Sequence, residues 1–523
     1  MNSPWAAGRL LYGVMVAAAV IMAVTAASPS PRGARAAQVT IDFRTTFQRM
    51  DGFGAAERVF DDPHVFNNFD PTTGRAATTM TRAQQDAVMD LLYRDLRLTR
   101  VRPASPEGGG DHSIEPQNDN DDPNVLAHDR FNFNWKNLDA HIEYLRRARS
   151  RGVNVYFLSP ASRERWLTGN SPADAAEYSE WLFAMVLRSR ELGLPMPYLS
   201  IANEPSYTRN PLSGEFLRDV IKILGPRLRA AGIATVFVIP DDIRSSDSAQ
   251  KAEAILSDPD ARRYVGALAT HLYDEPVPNL DRMTALSAKY RLPLWVTEYS
   301  LKLAGSAGMG SDPIDLVRLV HVLISDHGVS AIDYQWGAFG QWELGTQLVV
   351  LNSQANEPHA YTGYTLPKEF YFLGQYSRFI TPGALLVAVK SSDPQVKVTA
   401  FLQGPHVTVV ALNDSGETRM ARFDFTAPER LKLQVTRTSQ TESWVRLPAV
   451  VTRHRGLSYA LPALSVTTFT GTLASPLAPR LSATDSGVLQ ADMSASAQCR
   501  SSGTPLQRPS LGAWLGKGVN CAL

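Results

Sequence analysis

Cysteine is almost missing from this chain. Of 523 residues only Cys499 and Cys521 are cysteines, both among the last 25 positions. No Cys/His cluster has the spacing of a zinc site, so no structural metal is expected. An excess of charge of either sign is also lacking. With 52 basic against 51 acidic residues, neither nucleic acid nor an anionic membrane is expected as the main partner. No glycine-rich phosphate loop follows the first apolar strand, which argues against a doubly wound open sheet. No long internal repeat is evident. The acidic run "NDNDDP" (118–123) fails as an EF-hand calcium loop. Pro123 falls where the third ligand should stand, and no glycine follows.

What is present starts with one long apolar run. Arg9 precedes "LLYGVMVAAAVIMAVTAA" (10–27), and small-residue sites follow in "VTAAS" and "ARAAQ". This pattern predicts a cleaved export signal over 1–36, with an uncleaved membrane anchor as the alternative. The mature protein is then secreted or periplasmic, and a Cys499–Cys521 disulfide is expected. Hydrophobic residues make up 44% of the chain, ample for one large domain plus a smaller one.

From residue 51 the texture alternates. Apolar strand candidates lie near 51, 98, 153, 197, 234, 264, 293 and 330, separated by helical patterns. Thr81 and Gln84 have capping-box spacing before one helix, and Ser171-Pro172 opens another. Most of the strands are continuous apolar runs, as strands buried on both faces should be. The expected class is therefore α/β, a (β/α)₈ TIM barrel over 51–375. Past 376 the segments turn short, β-branched and turn-separated. An appended antiparallel β-sandwich domain is expected over 376–473, joined by an N-terminal strand over 37–50. Residues 474–523 read as a low-complexity tail.

In such barrels chemistry collects at the C-terminal strand ends. The fourth strand, "PYLSIANEP", ends in Asn203-Glu204, and the seventh, "LPLWVTEYS", ends at Glu298. These two strands stand opposite one another in an eight-stranded ring. Paired carboxyls across the mouth are what glycoside cleavage needs, one protonating the leaving oxygen while the other attacks the anomeric carbon. The second strand offers Arg100 or Arg102 to hold one carboxylate ionised. The sixth supplies His271 and Tyr273, the latter as a partner for the nucleophile. The eighth carries Trp336 to stack on a sugar face. Singly, each has an ordinary structural explanation; together they point to a site.

These pieces resemble glycoside hydrolase family 30, the group of glucosylceramidases and microbial β-glycanases. "DGFGAA", "TRVRP", "SP" with Trp166-Leu167, "NEPS", "HLY", "TEYS" and Trp336 occur in the family's order, and "YFLGQYSRFITPGA" and "LPALSVTTFTG" resemble its side-sandwich segments. The resemblance spans about 40–472. It implies Glu204 as general acid/base, Glu298 as nucleophile and Asn203 as a contact to the sugar 2-hydroxyl. His271 and Tyr273 flank the nucleophile, Arg100 is preferred to Arg102 as the strand-two arginine, and Trp166 contacts substrate. It also implies retention of configuration, no cofactor, and a β-linked polysaccharide or glycoconjugate as substrate, such as a β-glucoside, β-1,6-glucan, β-xylan or β-1,6-galactan. A monomer is expected. One departure stands out, because Ala161 occupies the place of the tryptophan in the family's "SPW". The loop 106–123 offers Glu115, Asn118 and Asp119 as further sugar contacts. A barrel that binds carbohydrate without cleaving it is the alternative from another class. A different barrel hydrolase family with the same paired glutamates is the third reading.

Overall fold

The computed structural model describes residues 36–474 and 480–481, except 61, 63–64, 66–78, 108–112, 121, 127–132, 209, 274–276, 302–311, 342–344, 427–429 and 454. The export signal, the cysteine pair and nearly all of the tail lie outside the described residues.

The chain enters through β1 (Ala37–Arg49) and then closes a barrel. Its staves are β2 (Gly52–Glu57), β3 (Arg100–Glu107), β4 (Val155–Ser162), β5 (Tyr198–Ser200), β6 (Val236–Asp242), β7 (Val265–His271), β8 (Leu294–Glu298) and β9 (Val329–Gln335). They pair in parallel, in chain order, and β9 closes on β2. This is the expected (β/α)₈ barrel. Two of the helices outside it start at side chains that satisfy free backbone N–H groups in a reciprocal box. Thr81 caps α1 (Arg82–Asp90) in a reciprocal box with Gln84, and α2 spans Lys136–Arg149. Ser171 caps α3 (Pro172–Glu191) in a box with Asp174. Each cap contributes about 1 kcal/mol.

A layer of Phe157, Val238, Ala267, Ala269, Trp295 and Ala331 packs together as a separate apolar cluster. Below the mouth the interior also holds charge. Arg100 makes a bidentate pair with Asp333, both bonds 2.9 Å, and lies 4.1 Å over the Trp295 ring. A methyl group on Gly54 would sit 2.2 Å from Asp333 Oδ1 and 2.5 Å from Arg100 Cβ. The glycine of "GFGAA" thus makes room for this ion pair.

The eighth barrel strand, expected near 330, does not continue into the chain that follows. It ends at Gln335, and β10 (Ala338–Gly340), β11 (Val349–Gln354) and β12 (Glu357–Thr365) form a separate three-stranded sheet. Within 376–473 every strand pairing of the second sheet is antiparallel, as expected. That sheet comprises β13 (Leu385–Ser391), β14 (Val396–Gln403), β15 (His406–Asn413), β16 (Arg419–Phe425), β17 (Lys432–Thr438), β18 (Val445–Val451), β19 (Gly456–Leu461), β20 (Ser465–Thr472) and β21 (Arg480–Leu481), with β1 inserted. β1 runs antiparallel to β13 but parallel to β16 and β21. A strand arriving from before the barrel reaches its neighbours through long connections, so a hairpin does not set its direction.

Candidate active site

β5 and β8 deliver Glu204 and Glu298 to one cavity of about 360 Å³ at the barrel mouth. β5 itself is short, and the chain beyond it is steered by neighbours. Asn203 N–H donates to Pro160 O at 2.8 Å, and Glu204 N–H donates to Asp241 O at 2.9 Å. Glu204 adopts a left-handed backbone, with φ of 45°. For a residue with a Cβ this costs of order 1 kcal/mol and persists only where surroundings enforce it. The turn aims the carboxyl into the cavity. One oxygen of Glu204 and one of Glu298 lie within 4.8 Å of each other and of a His271 ring nitrogen.

Arg102 organises the centre. Its guanidinium donates to Glu298 Oε1 and Asn203 Oδ1, to Ser159 Oγ at 3.0 Å, and to Asp241 Oδ2 at 3.1 Å. The other Glu298 oxygen accepts from the Tyr273 hydroxyl at 3.1 Å, and that hydroxyl also lies against Gln335 Oε1. Burial, then the Glu298 and Glu204 charges, push the Tyr273 phenol well above its ordinary range, so it stays a donor.

His271 is fully buried between carboxylates. Its Nδ1 lies 2.9 Å from Glu204 Oε1 and 3.5 Å from Glu298 Oε2, and its Nε2 lies 3.4 Å from Asp241 Oδ1. Burial alone would lower its pKa. Glu298, Asp241 and Glu204 outweigh burial and push it up to about 10. The ring is therefore a cation at neutral pH, with both N–H groups available to donate. The Glu204–His271–Glu298 cluster also has ligand-like spacing.

Asp241 completes the network. Burial raises its pKa, but Arg102 and His271 override burial and hold it below the ordinary carboxylate range. It accepts from Ser159 at 2.6 Å and from Thr297 at 2.5 Å.

The structure thus gathers Asn203, Glu204, Glu298, Arg102, His271, Tyr273 and Trp336. It does not bring Arg100, which sequence resemblance had favoured over Arg102. Both arginines face inward from β3, but two residues along a strand are about 6.6 Å. Arg100 therefore sits one layer lower, paired with Asp333. Trp166 is not among the cavity-lining residues either. Its indole N–H donates to Glu115 O at 2.7 Å, bracing the loop after β3. Glu115 and Asp119 are buried within that loop and do not line the cavity, nor does Asn118. Ala161 does line it, as do Arg58, Ser159, Tyr207, Ile243 and Gln335. Asp241 was missed although "VFVIPDD" ends an apolar run in two carboxylates, the signal used for Glu204 and Glu298.

A third glutamate also ends a barrel strand. Glu57 closes β2, accepts from Ala338 N–H at 3.2 Å, and leaves Oε1 buried without a hydrogen-bond partner among the described residues. A methyl on Gly337 would lie 1.7 Å from that oxygen. Burial pushes the Glu57 carboxyl well above its ordinary range. The unfolded chain releases this proton near pH 4.3, so stability drains as pH rises above that value toward the folded pKa. Glu57→Gln, a neutral isostere, should raise the melting temperature at pH 7.5 by on the order of 1–3 °C and change it little near pH 4. Calorimetry at both pH values tests this; a gain confined to acid pH would contradict it.

No protein-family model matches the chain. Curated relatives do. The putative glucosylceramidase 2 of Caenorhabditis elegans is 23% identical over 423 residues, covering 72% of this chain and 76% of its own. The endo-1,6-beta-D-glucanase neg1 of Aspergillus fumigatus is 23% identical over 235 residues, 41% of this chain and 43% of its own. Among solved structures, the catalytic domain of the family 30 xylanase C from Talaromyces cellulolyticus superposes with a TM-score of 0.64 at 21% identity, over 83% of this chain and 100% of that one.

Proposed function

We propose that this chain, a glycoside hydrolase of family 30, is a retaining β-glycosidase or β-glycanase in which Glu298 is the nucleophile and Glu204 the acid/base. The observation that carries this reading is the close approach of the two carboxyls, with one oxygen of each within 4.8 Å of the other, which supports the shorter of the two known separations. Retention needs carboxyls about 5–5.5 Å apart, whereas inversion needs about 6.5–9.5 Å to admit a water.

In the first step Glu298 attacks the anomeric carbon, and the glycosidic bond breaks as Glu204 hands its proton to the leaving oxygen. Arg102 and Tyr273 hold one Glu298 oxygen each, which aims the carboxylate and keeps it in one rotamer. With Glu204 protonated, the cations Arg102 and His271 balance the anions Asp241 and Glu298. In the second step Glu204 takes a proton from water, the water oxygen bonds the anomeric carbon, and Glu298 leaves. Asn203, held by Arg102, is the contact we assign to the sugar 2-hydroxyl. The apolar N-terminal run supports export, making the enzyme secreted or periplasmic. The relatives, a putative glucosylceramidase, an endo-1,6-beta-D-glucanase and a xylanase, support a β-linked polysaccharide or glycoconjugate substrate.

Proton NMR of a digest tests the mechanism. The product anomer formed first should be β and should then mutarotate. An α anomer appearing first would sink the double displacement. Binding without hydrolysis across glucan, xylan and galactan panels would favour the non-catalytic barrel instead.

A further inference from the structure

Of the three aromatic residues that line the cavity, Tyr273 is bonded to Glu298, and the other two differ in exposure. Trp336 is 7% exposed and stacked 4.9 Å from Phe339, whereas Tyr207 is 76% exposed. This exposed ring lines the same cavity as Glu204 and Glu298, with its face free to meet what the cavity holds. Its backbone is not loose. Tyr207 N–H donates to Glu204 O at 2.8 Å, and Leu212 N–H donates to Pro205 O at 2.9 Å. Ser206, one residue before it, is clamped by buried Asp242, which accepts from its N–H at 3.0 Å and from its hydroxyl at 2.7 Å. Lys251 reaches the same carboxylate at 2.8 Å. The turn 204–207 is thus one rigid piece, carrying Glu204 at its start and Tyr207 at its end.

We infer that Tyr207 is the platform for the leaving group, and that this group is a sugar residue stacked on the ring by its apolar face. The inference rests on the assignment of Glu204 as acid, because the group that receives its proton must sit on the Glu204 side of the scissile bond. A tyrosine there offers a broad apolar face and a polar edge, with few side-chain torsions to freeze. A saccharide presents the matching pair, a C–H face and a ring of hydroxyls. At Tyr207 the leaving half meets an open edge, which a continuing chain of sugars requires.

The experiment compares wild type, Tyr207→Ala and Tyr207→Phe on β-linked gluco- and xylo-oligosaccharides, on the matching β-glycosyl fluorides, and on octyl β-glycosides. Fluoride is a leaving group too small to reach the ring. Tyr207→Ala should lose about ten-fold or more in kcat/KM on oligosaccharides, the order expected for a lost aromatic contact. It should be unchanged on fluorides, and Tyr207→Phe should stay within about two-fold of wild type on both, since the ring face is kept. Equal loss on oligosaccharide and fluoride overturns the subsite, as does no loss on oligosaccharide. Equal loss on octyl glycosides overturns the saccharide assignment. A wild type that cleaves neither fluorides nor oligosaccharides fails the proposed function itself, and this inference with it.

Discussion

Glu298→Gln should hydrolyse β-glycosides at least about 10⁴-fold more slowly than wild type, while its fold and sugar binding persist. The amide keeps the size of the carboxyl and its oxygen can still accept from Arg102, but its NH2 cannot accept from Tyr273 and it has no anionic oxygen to bond the anomeric carbon. Glu204→Gln should fail differently. With an activated leaving group such as a nitrophenolate, the first step needs little proton donation, so the glycosyl-enzyme should form and then persist for want of a base. Added azide, which needs no deprotonation to attack, should restore turnover and yield a β-glycosyl azide. Stopped-flow kinetics on nitrophenyl glycosides, with and without azide, separates the two variants. Azide rescue of Glu298→Gln with the β product, or its absence from Glu204→Gln, would reverse or dismiss the assigned roles.

The parts of this site that were legible share one trait. Glu204 and Glu298 each close an apolar run, and in a parallel barrel a strand's end is a position in space. His271, Tyr273 and Trp336 became visible by the same rule. What remained hidden depends on depth or on partners that sequence spacing does not encode. Arg100 and Arg102 share a face and a residue type, and only the layer separates them. Asp241 ends its strand beside Asp242, and a pair of acids looks like a solvated turn until Arg102, His271, Ser159 and Thr297 converge on it. Glu57 escaped because the first strand was read as ending at Ala56. The β10–β12 sheet escaped because a chain leaving the eighth strand can continue straight or fold over, and local pattern does not choose. Trp166 shows the converse: a family piece matched in order, but its indole is committed to a loop carbonyl.

Exchanging each β3 arginine separately should divide chemistry from stability. Arg102→Lys keeps a cation but replaces a planar fork by a point charge, and one ammonium cannot serve Glu298, Asn203, Ser159 and Asp241 together. Loss of aim at the nucleophile should lower kcat by about 10²–10³-fold with a smaller change in KM, because the contact matters most as charge moves off Glu298. Arg100→Gln should do the opposite. It strands Asp333 inside the barrel with no cation, and breaking a buried pair from one side costs about 3–5 kcal/mol. The melting temperature should fall while kcat, measured well below it, stays near wild type. Adding Asp333→Asn to Arg100→Gln should recover much of the loss, since the stranded charge is then gone. If Arg100→Gln instead lowered kcat by 10²-fold or so at unchanged stability, with Arg102→Lys kinetically normal, the arginine at the nucleophile would be the lower one and the network drawn around Arg102 would be wrong.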